Sequence, residues 1–261
     1  MCCSIPSWRP KCLLSGVAEK LVRPLLHAAG ALCMLLAASV AAAPAVDMAP
    51  RVQACTACHG KQGRATPDGY FPRIAGKPAG YLHNQLLNFR DGRRSYPQMA
   101  YLLQHLTDDY LREMADYFAR LDLPYAPPVA AAVSAATLAQ GERLVLWGDA
   151  SRQLPACVQC HGDALAGVAP FIPGLLGLSR DYVSAQLGAW QTGLRRAHAP
   201  DCMARIASKL TAADVSSIAA WLSSRPVPSR FTPAPAIKAP LPIPCGGMDS
   251  PALRAGAEQV Q

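Results

Sequence analysis

Five residues, Cys55-Thr56-Ala57-Cys58-His59, return about a hundred positions later as Cys157-Val158-Gln159-Cys160-His161, and a glycine follows each time (Gly60, Gly162). C-x-x-C-H is the pattern for covalent attachment of a c-type haem. The two thiols add across two porphyrin vinyl groups, and the two-residue spacer lets both reach one ring. The adjacent histidine then sits beneath the iron as its proximal ligand. Two other readings compete. A zinc site needs four ligands in one compact unit, and these pairs lie far apart in the chain. A thioredoxin-like redox pair needs a βαβ pattern beside it, and none is visible. The doubled motif therefore points to two covalently bound haem c groups, held by Cys55, Cys58, Cys157 and Cys160, with His59 and His161 as iron ligands.

The repetition extends beyond the motif. Pro72 and Gly76 recur as Pro173 and Gly177 at an offset of 101. Tyr81, Gln85, Leu86, Phe89 and Gly92 recur as Tyr182, Gln186, Leu187, Trp190 and Gly193 at the same offset, and Arg195-Arg196 echoes Arg93-Arg94 one residue later. Met99 and Thr107 recur as Met203 and Thr211 at an offset of 104. The apolar residues of these stretches fall at helical spacing. Short helices are expected over 49–58 and 141–147, and Thr107 is expected to cap a last helix in the first half. No strand pattern appears in either half, and each reads as a unit of three to four helices.

Around this duplicated centre the composition changes. A basic stretch with Arg9, Lys11, Lys20 and Arg23 precedes an apolar run, Leu25 to Ala43, that closes in small residues. This is the shape of a secretory signal over 1–45; an uncleaved anchor is the alternative. Export agrees with haem attachment, which in bacteria takes place outside the cytoplasmic membrane, and places the protein in the periplasm. The first domain is expected over 46–122, a Pro- and Ala-rich linker over 123–137, the second domain over 138–225, and a Pro-rich tail over 226–261. The whole chain carries a net charge of +8. Much of the excess lies in the signal, and four haem propionates would cancel most of the rest, so the charge does not argue for nucleic acid. Of ten cysteines, Cys202 and Cys245 remain after the signal and the haem motifs are set aside. They are either a disulfide, as an oxidising compartment would favour, or two unrelated thiols.

An electron carrier needs the iron's second axial position filled, so that its geometry changes little between oxidation states. Methionine sulfur is soft and raises the potential. Met99 and Met203 stand at equivalent places in the repeat, in stretches that read as loops, and are the expected ligands. Met114 lies mid-stripe on a helix and reads as core. Met248, in the tail, has no counterpart in the first half. His83, His105 and His198 would give bis-histidine iron at lower potential, but none has a repeat partner. Cys202, beside Met203, would lower the potential sharply as a thiolate. The carbonyls of Pro72 and Pro173 are candidates to hold the proximal imidazoles. The arginine pairs could meet propionates or an acidic partner, or simply face solvent.

On these residues, over about 50–225, the chain resembles the dihaem cytochrome c4 family. The likeness rests on the paired C-x-x-C-H-G, the Pro-x-x-x-Gly after each, the Tyr-x-x-x-Gln-Leu helices leading to arginine, and the interval from methionine to the final helix. The resemblance implies an all-α fold of two tandem cytochrome c-like domains related by internal duplication, here with an irregular Pro-rich C-terminal tail. It also implies a periplasmic carrier between a quinol–cytochrome c reductase and a terminal oxidase, with redox proteins as partners, peripheral membrane association as an option and no small-molecule substrate. Two other functions stay open: the cytochrome subunit of a periplasmic dehydrogenase, and a dihaem enzyme of thiosulfate dehydrogenase type. The helix before Cys55 looks shortened, and the tail with Cys245 is extra to the family pattern.

Overall fold

Where a serine, threonine or aspartate precedes a run of good helix formers, its side chain satisfies the first free backbone N–H groups and a helix starts. The computed structural model describes residues 47–128, 130 and 132–248. The expected signal and the last residues of the tail lie outside the described residues. The first half contains α1 (Met48–Arg51), α2 (Gln53–His59), α3 (Ala79–Arg90), α4 (Pro97–Leu103) and α5 (Asp108–Ala119). The second contains α6 (Ala135–Leu146), α7 (Cys157–His161), α8 (Arg180–Gln191), α9 (Cys202–Ala207) and α10 (Ala212–Ser224). Thr107 accepts from Tyr110 N at 3.3 Å and caps α5; Ser179 accepts from Tyr182 N at 3.1 Å and caps α8.

The all-α expectation holds, with one addition: two-residue strands β1 (Gly167–Val168) and β2 (Ile172–Pro173) pair antiparallel. Segments this short show no alternation in a sequence. Three local expectations need correction. The helix expected over 141–147 begins at Ala135, inside the stretch read as linker, because Ser134 accepts from Thr137 N at 3.1 Å and the alanines that follow favour helix. The helix expected over 49–58 is broken at Val52 into α1 and α2. Met99 and Met203 stand on short helices, not in loops: Pro97 opens α4 at its first turn, and Asp201 caps α9 by accepting from Ala204 N at 3.0 Å.

Each half has its own core. In the first, Val52, Leu82, Leu87, Phe89, Leu103, Leu111, Met114 and Phe118 pack together. In the second, Leu144, Val145, Leu187, Ile218, Trp221 and Leu222 do so, with Phe231 of the tail laid against them. The two halves differ most at their beginnings. The twelve-residue α6 crosses α10 so closely that a Cβ on Gly141 would stand 2.1 Å from Ser217 O, which only glycine permits. The matching place before Cys55 holds the four-residue α1, as the sequence suggested.

Helix α10 is tied at its start. Thr211 Oγ1 accepts from Asp214 N at 3.1 Å, while Asp214 Oδ2 accepts from Thr211 N at 2.9 Å and from Arg152 Nη1 at 2.7 Å. Burial alone would raise the Asp214 pKa, but the Arg152 bond, the two Thr211 bonds and the Arg152 charge outweigh it and bring the carboxyl down to about 2. A depressed carboxylate stabilises the fold above its ordinary pKa and loses that contribution as pH falls through the native value. The second half is therefore expected to lose stability between about pH 4 and pH 2. The loss at this group is on the order of 2 kcal/mol, and Asp214→Asn flattens that part of the curve. Urea midpoints of both proteins across this window test it; parallel acid profiles would contradict it.

Candidate haem-binding site

The attachment motifs sit on α2 and α7. A tight turn ends each helix at the glycine after the histidine. Gly60 has φ +74°, and a Cβ there would meet Ala65 O at 2.2 Å. The turn brings a proline carbonyl back over the histidine. His59 Nδ1–H donates to Pro72 O at 2.8 Å, and His161 Nδ1–H donates to Pro173 O at 2.7 Å. Both rings are buried. Burial lowers the pKa of each, against the opposing pull of its carbonyl bond, so the neutral imidazole is favoured. With Nδ1 committed as a donor, the lone pair is on Nε2, the arrangement a ligating histidine requires.

A cavity of about 810 Å³ runs through both halves. Cys55, Cys58, His59 and Met99 stand on its wall in the first half, and Cys157, Cys160, His161 and Met203 in the second. Burial raises the thiol pKa of Cys55 and Cys160 and pushes Cys157 up to about 12. Of the alternative iron donors, His198, Met114 and Met248 also reach the wall, whereas His83 and His105 do not. Met114 is buried in the first core, as its stripe position suggested.

Between the halves lies a polar cluster that sequence reading left open. Arg94 donates to Gln85 Oε1 at 2.8 Å, to Gln186 Oε1 at 2.6 Å and to Tyr182 OH at 3.0 Å. Arg195 donates to Gln186 Oε1 at 2.8 Å, to Gln85 Oε1 at 3.0 Å and to Tyr81 OH at 3.4 Å. The backbones join as well, Ser95 N to Leu194 O and Arg196 N to Arg93 O, both at 2.7 Å. The structural equivalents are thus Arg94 and Arg195, in register with the 101 offset, and not the pairs shifted by one residue. Arg94 and Arg195 are 9% and 5% exposed, so the solvent-facing reading fails for these two. Lys77, also buried, donates to Gly174 O at 3.0 Å across the same boundary. All three basic side chains line the cavity and all their hydrogen-bond acceptors are neutral; burial, with Arg73 nearby, brings the Lys77 ammonium down to about 7. The repeated Tyr81/Gln85 and Tyr182/Gln186 were the available signal, being polar residues kept at one offset in both halves.

Buried cations without an anionic partner are costly. They suit a ligand that brings carboxylates of its own. Paired thiols, a neutral imidazole and a thioether on one apolar wall suit an iron porphyrin. The residues therefore fit two haem c groups, whose carboxylates would be met by Arg94, Arg195 and Lys77.

No family model matches the chain. It is 37% identical over 198 residues to the thiosulfate dehydrogenase electron acceptor of Thiomonas intermedia, a match covering 76% of this chain and 88% of that protein. It is 34% identical over 172 residues to cytochrome c4 of Pseudomonas aeruginosa, covering 64% of this chain and 82% of that one. Among solved structures it is similar to thiosulfate dehydrogenase (TsdBA) from Marichromatium purpuratum in its as-isolated form. That match has a TM-score of 0.60 and 33% identity over 66% of this chain, and it spans only 36% of the other. The chain belongs to the dihaem cytochrome c4 family, electron-transfer cytochromes built of tandem cytochrome c domains that carry two covalently bound haem c groups.

Proposed function

We propose that this protein is a periplasmic electron carrier, not an enzyme, with two filled iron sites. Cys55, Cys58, His59 and Met99 would hold one haem; Cys157, Cys160, His161 and Met203 would hold the other. When bound, each haem supplies a one-electron Fe(III)/Fe(II) couple. The chain's part would be to offer His59 and Met99 to one iron and His161 and Met203 to the other, keep their surroundings dry and screen the propionates with Arg94, Arg195 and Lys77. The domain limits read from the sequence, 46–122 and 138–225, are kept as part of this proposal.

The observation that carries the reading is that a histidine and a methionine at repeat-equivalent positions line the cavity in both halves. A second observation speaks against the enzyme alternative. A cysteine-ligated iron would favour that alternative, and Cys202, the cysteine beside Met203, is joined to Cys245 in a disulfide. Its sulfur is thereby withdrawn as a thiolate donor. The donor side is best read from the similarity to a thiosulfate dehydrogenase electron acceptor. We take the electrons to come from a periplasmic dehydrogenase that oxidises an inorganic sulfur compound, and to pass on to a respiratory acceptor. A quinol–cytochrome c reductase as donor is the second reading, favoured by the likeness to cytochrome c4.

The oxidised protein is expected to show the near-infrared sulfur-to-iron band at an intensity matching two methionine-ligated haems. The reduced protein is expected to bind no carbon monoxide as isolated. Carbon monoxide uptake at either haem would return the enzyme reading to first place.

A further inference from the structure

After α10 ends at Ser224, the described part of the tail, to Met248, does not leave the molecule. Phe231 stacks edge-on against Tyr125 with ring centroids 5.4 Å apart. Ala234 adds a backbone rung to β1, donating to Gly167 O at 2.9 Å and accepting from Ala169 N at 2.8 Å. Cys245 is bonded to Cys202, the residue before Met203. Gly246 N donates to Pro200 O at 2.9 Å, and a Cβ on Gly246 would stand 2.1 Å from Ala199 O, so the chain here lies flat on its neighbour. Gly247 O accepts from Asn84 Nδ2 of the first half at 2.9 Å. Between these fastenings Leu241 and Ile243 form part of the cavity wall.

Among the described residues the first half has no such layer, and the repeat allows a residue-by-residue comparison. Leu102 is 47% exposed, while its equivalent Ile206 is partly buried, in a hollow it shares with Pro242 and Ile243. Cys58 is exposed and Cys160 is not.

We propose that residues 226–248 form a strap that covers the second haem site against water and other proteins, so that electrons pass to and from protein partners through the first site. The proposal rests on the two-site reading above. Covering a haem also removes water from around it, and a drier setting favours the less charged, reduced iron. The strap therefore makes two otherwise similar sites unequal in potential as well as in reach.

The test uses the reduced, full-length holoprotein. Each methionine-ligated haem gives its own upfield methionine methyl signal in proton NMR, assigned by its loss in Met99→His or Met203→His. A neutral gadolinium chelate in solution is expected to broaden the Met99 signal several-fold more than the Met203 signal. In a chain ending at Arg225 and carrying Cys202→Ala, the two should broaden alike, one midpoint potential should fall, and oxidation by a single-haem cytochrome c used as probe should quicken. The full-length Cys202→Ala/Cys245→Ala protein should shift the same way by a smaller amount, which keeps the test open should the shortened chain fail to fold. Equal broadening in the intact protein, or an unchanged exchange rate once the strap is freed, overturns the proposal. If a Met→His variant keeps both methyl signals, the ligand assignment fails instead, and the strap is then judged on the exchange rate.

Discussion

Replacing Met203 by histidine lowers the midpoint potential of one haem by on the order of 0.2 V, within the roughly 0.8 V span that axial ligands command, and leaves the other nearly where it was. The cause is electronic. A thioether is a soft donor that stabilises Fe(II), whereas imidazole is a better donor to Fe(III), so the exchange favours the oxidised state. Met99→His does the same at the other haem. Redox titration of both variants, followed at the haem absorption bands, separates the sites. The cavity wall makes the experiment more than a formality, because His198 and Met248 line it too. If either replaces Met203 as the ligand, the Met203→His variant titrates like the parent protein. If both potentials move together, the two irons are not independently ligated.

The second large effect is expected at Arg195. Its two terminal nitrogens serve Gln186 on one side and Gln85 and Tyr81 on the other, with its guanidinium carbon 3.8 Å from the centre of the Trp190 ring. Arg195→Met takes one of two arginine donors from Gln186 Oε1 and from Gln85 Oε1 and the arginine from Tyr81 OH in a buried seam, leaving the glutamines to Arg94, and removes a cation from beside the proposed propionates. We expect a loss of about 2–4 kcal/mol, seen as a drop in Tm of roughly 5–15 °C for a chain of this size. Both midpoint potentials should fall, since a nearby positive charge favours the reduced iron. Arg195→Lys should not restore stability, because an ammonium cannot span both sets of acceptors as the planar fork does. Adding Arg94→Met should cost more than it does alone, because the two guanidiniums share Gln186 and Gln85 and repel one another, so that with Arg195 gone no second donor remains and no repulsion is left to relieve. Melting within a degree or two of the parent would show that the seam does not depend on this pair.

The parts of the molecule that were readable in advance are those governed by short-range chemistry. C-x-x-C-H prescribes a short helix ending under a haem. The 101-residue offset correctly aligned Pro72 with Pro173, and both carbonyls receive the imidazole bonds anticipated for them. Met99 and Met203 were placed by repeat position and reached the expected cavity, though on helices: one proline and one aspartate cap were enough to start a turn that the loop reading overlooked. What escaped was non-local. Nothing near Arg94 announces that it will meet Tyr182 and Gln186, and matching the pair Arg195-Arg196 to the pair Arg93-Arg94 set Arg195 one residue out of register. The Cys202–Cys245 disulfide, one of the two readings open in the sequence, is present, but the backbone bonds that fix the rest of the tail's described course are distributed along the chain and leave no local mark.

The unequal openings of the two halves have a mechanical outcome. The second half is braced by a three-turn helix locked onto α10 at Gly141; the first has a single turn, α1, against α5. With less apolar surface holding its closing helix, the first half should breathe more readily, its α5 amides trading hydrogen with solvent sooner than those of α10. Compliance and bareness then coincide at one end of the molecule, where a visiting surface could be accommodated by small adjustments, while the opposite end stays stiff.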